Sequence, residues 1–202
     1  MDQGIKENIK AVYNRYADTR NKSDRPDWKN IEREQILLVF QKNGCSHLLE
    51  IGCGTGQDSM FFKENGFKVQ AIDLSEEHVK CCCENGIAAE EMDLHNMTHL
   101  SEKFDCIYSM NCFSHIPKDE LRSALREAQR VLQSDGLFYL GVYGGEDFEG
   151  YLKKDYYNDE RFFAFYPFNE YQSILEEFYT VVNAREVKLS DELMFHAFLL
   201  KK

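Results

Sequence analysis

The chain lacks any apolar run approaching the ~20 residues that cross a bilayer, and its first seven residues are polar as a stretch. Neither a signal peptide nor a membrane span is expected, so the expected location is cytoplasmic. Basic charge is also short. Twenty-four Lys and Arg against 35 Asp and Glu leave a net charge of −11, which repels phosphate backbones and argues against a nucleic-acid partner. Seven cysteines occur, an odd number, yet no Cys-x-x-Cys pair does. The reading is reduced thiols and no metal. The run Cys81-Cys82-Cys83 does not alter it, because consecutive helical residues point about 100° apart and cannot converge on one ion. No Gly-Lys-Ser/Thr follows a glycine turn, which excludes a phosphate P-loop, and no triad or paired-carboxylate motif is present.

What is present centres on residues 48–58, where apolar Leu48, Leu49 and Ile51 form a short strand running into Gly52, Gly54 and Gly56 and then a helix. Glycine at those places lets the backbone take positive φ and lets a ligand lie against it, while the helix start offers unpaired N–H groups to an anion. The dinucleotide pattern G-x-G-x-x-G fails here, since its third glycine would fall on Gln57. The run is instead Glu50-x-Gly52-x-Gly54-x-Gly56. The next predicted strand, residues 67–72, delivers Asp73, 17 residues beyond Gly56, where an acid sits beside the turn and can accept both ribose hydroxyls.

These residues resemble the signature of the class I S-adenosylmethionine (SAM)-dependent methyltransferases, small-molecule type. The resemblance implies that Gly52, Gly54 and Gly56 line the methionine part of SAM, that Asp73 with Leu74 beside it binds the ribose, and that Glu50 anchors the turn from behind. A weak strand, residues 87–92, delivers Asp93 and Leu94; the family likeness gives Asp93 the adenine amino group and the Leu94 backbone N–H the ring, whereas an acid capping a loop is the alternative. The fourth strand, residues 104–110, ends in Met110 and Asn111 beside cofactor and substrate. Enzymes that methylate nucleobase amines resemble one another in an Asn/Asp-Pro-Pro-Tyr/Phe at that place, and Ser109-Met110-Asn111-Cys112 departs from it. A second similar stretch, His-Ile-Pro at 115–117 through Asp135-Gly136, extends the likeness to roughly residues 46 to 143.

Around this core, one domain over 1–202 is expected, with a helical cap at 1–43 and an aromatic lid at 144–171. The implied fold is α/β: a single Rossmann-like seven-stranded sheet, mostly parallel, with one antiparallel strand from a C-terminal hairpin and helices on both faces. Helices are expected at 5–20, 31–40, 57–64 and from Pro117. Tyr13, in Tyr13-Asn14-Arg15-Tyr16-Ala17, fits a family segment that folds over SAM. Ten of the 24 residues in 148–171 are aromatic, against 27 in all 202, so this segment is read as a substrate wall containing Phe163 and Tyr166. Packing on the sheet, or on a second copy of the chain in a homodimer, is the alternative.

Methyl transfer from a sulfonium is an in-line displacement that needs alignment and dryness more than catalytic groups. His115 is the candidate base, or a loop histidine; Tyr143 ends the fifth strand on the substrate rim; Arg161 pairs with a substrate acid or forms a lid salt bridge. The expected activity is methylation of a small-molecule O, N or S nucleophile. A SAM-binding regulator without catalysis and a nicotinamide oxidoreductase are the other readings.

Overall fold

The computed structural model describes residues 2–202 apart from 99, 101–103, 153–156, 158 and 192. Two helices precede the sheet: α1 (Gln3–Asn21) and α2 (Asp27–Lys42). Asp2 caps α1, its carboxylate accepting from the Gly4 and Ile5 amides at 3.0 and 3.1 Å. The chain then alternates β1 (His47–Ile51), α3 (Gln57–Glu64), β2 (Lys68–Asp73), α4 (Glu76–Glu84), β3 (Ala88–Glu91), β4 (Phe104–Met110), α5 (Leu121–Val131) and β5 (Leu132–Gly144). A hairpin of β6 (Phe148–Leu152) and β7 (Arg161–Phe165) follows, then α6 (Phe168–Glu176), β8 (Thr180–Lys188) and β9 (Met194–Lys201).

The main sheet has seven strands in the order β3-β2-β1-β4-β5-β9-β8. Pairs among β1 to β5 are parallel, while β9 is antiparallel to both β5 and β8, which is the expected fold. The chain runs outward from β1 to β3 and returns to the other side of β1 as β4. That reversal opens a crevice at the carboxyl ends of β1 and β4, the place where open α/β sheets take ligands.

Strand alternation divides the core between the two faces. Leu49, Ile51 and Ile107 face α5 and α6 together with Leu125, Ala128 and Leu175. Leu48, Cys106, Tyr108 and Tyr139 face α2 with Ile36, Leu37 and Phe40.

Two local expectations are corrected. Pro117 opens a turn, closed by the Glu120 amide on the Pro117 carbonyl at 3.0 Å, and α5 begins only at Leu121. Ser134-Asp135-Gly136, which reads in the sequence as a turn leading into a fifth strand at 137–143, lies inside β5 as a bulge: Asp135 has φ 63°, and the register with β4 jumps from Phe104–Leu132 to Cys106–Leu137. Among the described residues no helix is long and apolar enough to cross a membrane.

Candidate active site

β1 delivers the chain into the glycine turn, where Gly52, Gly54 and Gly56 all have positive φ. The Gly54 amide donates to Asp73 Oδ2 at 2.8 Å, and the Ser75 amide donates to Oδ1 at 2.9 Å, so the carboxylate at the end of β2 is held against the turn. Burial alone would raise the Asp73 carboxyl. His78, whose Nδ1 stands 3.4 Å away, and the two amides outweigh burial and hold it below the usual carboxylate range. A methyl group at Gly54 would come within 3.3 Å of the Arg20 Nε, which places the end of α1 directly over the turn.

A cavity of about 390 Å³ opens at the carboxyl ends of β1, β2, β4 and β5 beneath α1. It takes in Gly52, Gly54, Asp73, Leu74, Asp93, Leu94, Met110 and Asn111 from the expected cofactor set, and Tyr13, His115, Tyr143, Arg161 and Phe163 from the expected lid and substrate set. Asn111 has φ 63°, unusual for a residue with a side chain, and neither amide atom of that side chain has a hydrogen-bond partner among the described residues. A strained asparagine presenting two unsatisfied polar atoms to a cavity is what a ligand site looks like before its ligand is added. Asp93 accepts from the His95 amide at 2.9 Å and faces Lys6 at 2.9 Å; its hydrogen bond with the His95 ring holds it well below the carboxylate range.

Three predicted residues lie elsewhere. Glu50 is buried beneath the turn, where it accepts from the Ser59 hydroxyl and lines a separate small void with Asp58. Burial and the neighbouring Asp58 charge push its carboxyl well up. Gly56 caps α3 and packs on α4, a methyl group there meeting Cys82 Sγ at 2.7 Å, so its role is close packing rather than cavity lining. Tyr166 is not in the cavity. One residue past the end of β7, it turns into the core against Tyr171, ring centroids 5.0 Å apart.

On the other side of the cavity α1, the turn after β4, and β7 meet. His115 Nδ1 lies 2.7 Å from the Phe162 carbonyl oxygen, which can only accept, so Nδ1 carries the proton in that bond. Nε2 then accepts from the Tyr13 hydroxyl at 2.7 Å in the neutral ring, and Arg161 donates to the Tyr13 oxygen at 2.7 Å. Burial pushes the Tyr13 phenol up to about 12, so it carries its proton at neutral pH. Phe163 packs on the His115 ring at 4.5 Å.

Sequence reasoning missed Arg20, Trp28, Lys29 and Tyr157, which also line the cavity. No motif marks them; the one available signal was that cations cluster where α1 gives way to α2, ahead of the glycine turn. Among the described residues, the three groups that could jointly ligate a metal, Cys45, Asp105 and Cys106, sit at the opposite end of the strands. There the Asp105 carboxylate already accepts from the Ser46 amide and hydroxyl and the His47 amide.

Residues 48–136 match the family model of the methyltransferase domain. The glycine/sarcosine N-methyltransferase of Aphanothece halophytica is 29% identical over 118 residues, covering 54% of this chain and 44% of that protein. The chain spans about half the length of the curated relatives it matches. In fold, it is similar to the Burkholderia thailandensis 1,6-didemethyltoxoflavin-N1-methyltransferase with bound S-adenosylhomocysteine, at TM-score 0.70 and 19% identity over 95% of this chain and 88% of that one. It is equally similar to the [4+2]-cyclase SpnF, at TM-score 0.73 and 15% identity over 96% and 94% of the two chains. With the sheet order, the glycine turn and its acid, these matches define a class: residues 48–136 are similar to the methyltransferase domain, and the sheet has the fold of these SAM-dependent neighbours.

Proposed function

We propose that this chain transfers the methyl group of SAM to a small-molecule nucleophile. The observation that carries the reading is that Gly52, Gly54 and Asp73 open onto the same cavity as the Tyr13, His115 and Arg161 chain. When bound, SAM supplies an electrophilic methyl group on a sulfonium and leaves as S-adenosylhomocysteine. Asp73 would accept the ribose hydroxyls, Asp93 would accept from the adenine amine, and Arg20, lying against Gly54, would hold the methionine carboxylate. Asn111 supplies a donor and an acceptor between the cofactor and acceptor ends. The described part of the 144–171 segment acts as a lid, with β7 carrying Arg161 and Phe163 over the strand ends.

An acceptor that arrives protonated passes its proton to the Tyr13 oxygen as the Tyr13 proton moves to His115 Nε2. His115 is therefore a proton store behind Tyr13, and the Phe162 carbonyl stabilises the imidazolium that forms. A cavity of about 390 Å³ and a net charge of −11 suit a small acceptor over a nucleic acid.

Because a cyclase shares this fold, turnover is the deciding measurement. Purified protein is screened for release of S-adenosylhomocysteine with small hydroxyl, amine and thiol compounds. Release coupled to a methylated product is the expected result; SAM binding without turnover would favour a regulator, and a co-purified nicotinamide would overturn the reading.

A further inference from the structure

Lys29, in the first turn of α2, reaches into the cavity beside the end of β5. Its Nζ lies 5.4 Å from the Trp28 ring centroid and 5.9 Å from that of Tyr143. Among the described residues it forms no ion pair. The acid that reaches it electrostatically, Asp58 on α3, is already paired with Arg25 at 2.8 Å and Arg33 at 3.3 Å. The groups around Lys29 are mostly cationic: Arg20 from α1, Arg25 from the link before α2, and Arg161 from β7. The other cavity acids are committed elsewhere or lie at its mouth, Asp73 to the glycine turn, Asp93 to Lys6 and His95, and Asp24 exposed on the rim.

A half-buried cation without a counter-charge is costly to keep, so the missing charge belongs to what binds. The cofactor brings one carboxylate, and the contact of Arg20 with Gly54 assigns it to Arg20. That leaves Lys29. Resting on the methyl-transfer reading above, we propose that the methyl acceptor is a small carboxylate and that Lys29 holds its oxyanion. Trp28, Tyr143 and Phe163 supply flat apolar walls for the rest of such a molecule. A phosphate dianion fits less well, because it calls for two or more cations, and the arginines beside Lys29 are already committed to the cofactor, Asp58 and Tyr13. Burial and the neighbouring arginines lower the Lys29 amine to about 7, so an arriving carboxylate favours its ammonium form and binding draws in a proton.

The test is calorimetry on the full chain saturated with S-adenosylhomocysteine, at about pH 6 where Lys29 is charged. Benzoate, its neutral isostere benzamide, and phenyl phosphate are titrated into wild type, Lys29→Met and Lys29→Arg. Wild type is expected to bind benzoate at least about tenfold more tightly than benzamide. Lys29→Met should erase that preference and Lys29→Arg retain it, with S-adenosylhomocysteine affinity within about threefold in all three. The proposal is overturned if benzamide binds as well as benzoate, if phenyl phosphate binds more tightly, or if none of the three binds below about 10 mM. It is also overturned if Lys29→Met weakens S-adenosylhomocysteine while leaving the benzoate preference intact, which would assign the lysine to the cofactor. Failure of wild type to bind S-adenosylhomocysteine at all would instead overturn the underlying methyl-transfer reading.

Discussion

The Tyr13 hydroxyl lies 2.7 Å from His115 Nε2 and joins α1 to the turn after β4 across the mouth of the cavity. The same helix reaches three other parts of the rim. Lys6 pairs with Asp93 at 2.9 Å, Asn14 accepts from the Ser75 hydroxyl at 2.6 Å, and Asn8 donates to the Glu160 carbonyl at 2.9 Å. The helix ahead of the sheet is thereby part of the site, and its tyrosine meets both the base candidate and the hairpin arginine.

Tyr13→Phe keeps the ring and removes the hydroxyl. If the phenol relays a proton to His115, turnover of an O–H or S–H acceptor should fall on the order of 100-fold while S-adenosylhomocysteine affinity changes less than about threefold. Losing the hydrogen bonds from the Tyr13 hydroxyl to His115 and from Arg161 to its oxygen should lower stability by roughly 1–3 kcal/mol, visible as a lower melting temperature. Turnover at the wild-type rate would remove Tyr13 from the chemistry.

Asp73→Ala should weaken SAM binding by about 1.5–3 kcal/mol, roughly 10- to 100-fold, since hydrogen bonds to a charged group are lost. The substitution also strands the Gly54 and Ser75 amides, so part of the loss comes from a looser turn. Calorimetry at neutral pH reads the affinity, and wild-type affinity would mean that the ribose lies elsewhere.

The legible parts of the chain are those whose signal is local. Residues 48–58 specify strand, turn and helix within a few bonds of one another, and α3 spans the predicted Gln57–Glu64. Asp73 was legible because β2 must end beside that turn. The β6–β7 hairpin was not, because both faces of β7 are covered: Phe162 and Ala164 pack on Ile9, while Phe163 faces His115, and the polar positions that would reveal a period of two are missing. The one charged residue of β7, Arg161, is buried as well. Arg20 and Lys29 carry no pattern of their own, since their meaning arises only when the α1–α2 junction is laid against Gly54 and Tyr143. Tyr166 was misjudged because composition marks a segment as aromatic without saying which ring turns to which side.

Phe163 and Tyr166 form a matched pair of tests. Phe163→Ala opens the cavity wall and should reduce turnover or acceptor affinity about tenfold with S-adenosylhomocysteine binding retained. Tyr166→Ala empties a core position and should cost about 3–5 kcal/mol of stability, with activity per folded molecule near wild type. Thermal melts alongside steady-state kinetics separate the two, and an equal loss of activity from both substitutions would undo the distinction.

Lys29 gives a prediction that needs no ligand. Its folded value, about 7, lies below the ordinary lysine value near 10.4, because burial disfavours the ammonium. Below about pH 7 the amine is charged in both the folded and the unfolded chain, so the folded state bears the full penalty of the half-buried charge. Between about pH 7 and 10 the unfolded chain binds the extra proton, and stability at this site rises with pH until both states are neutral and the penalty is gone. Lys29→Met keeps the bulk and removes the charge. It should therefore raise the melting temperature by at least about 5 °C at pH 6, and by less than about 2 °C at pH 10.5. The difference between variant and wild type is the quantity to read, because the other titrating groups are shared and largely cancel. A melting temperature that is unchanged or lowered at pH 6, or a gain that grows toward alkaline pH, would mean that Lys29 is solvated in the free protein.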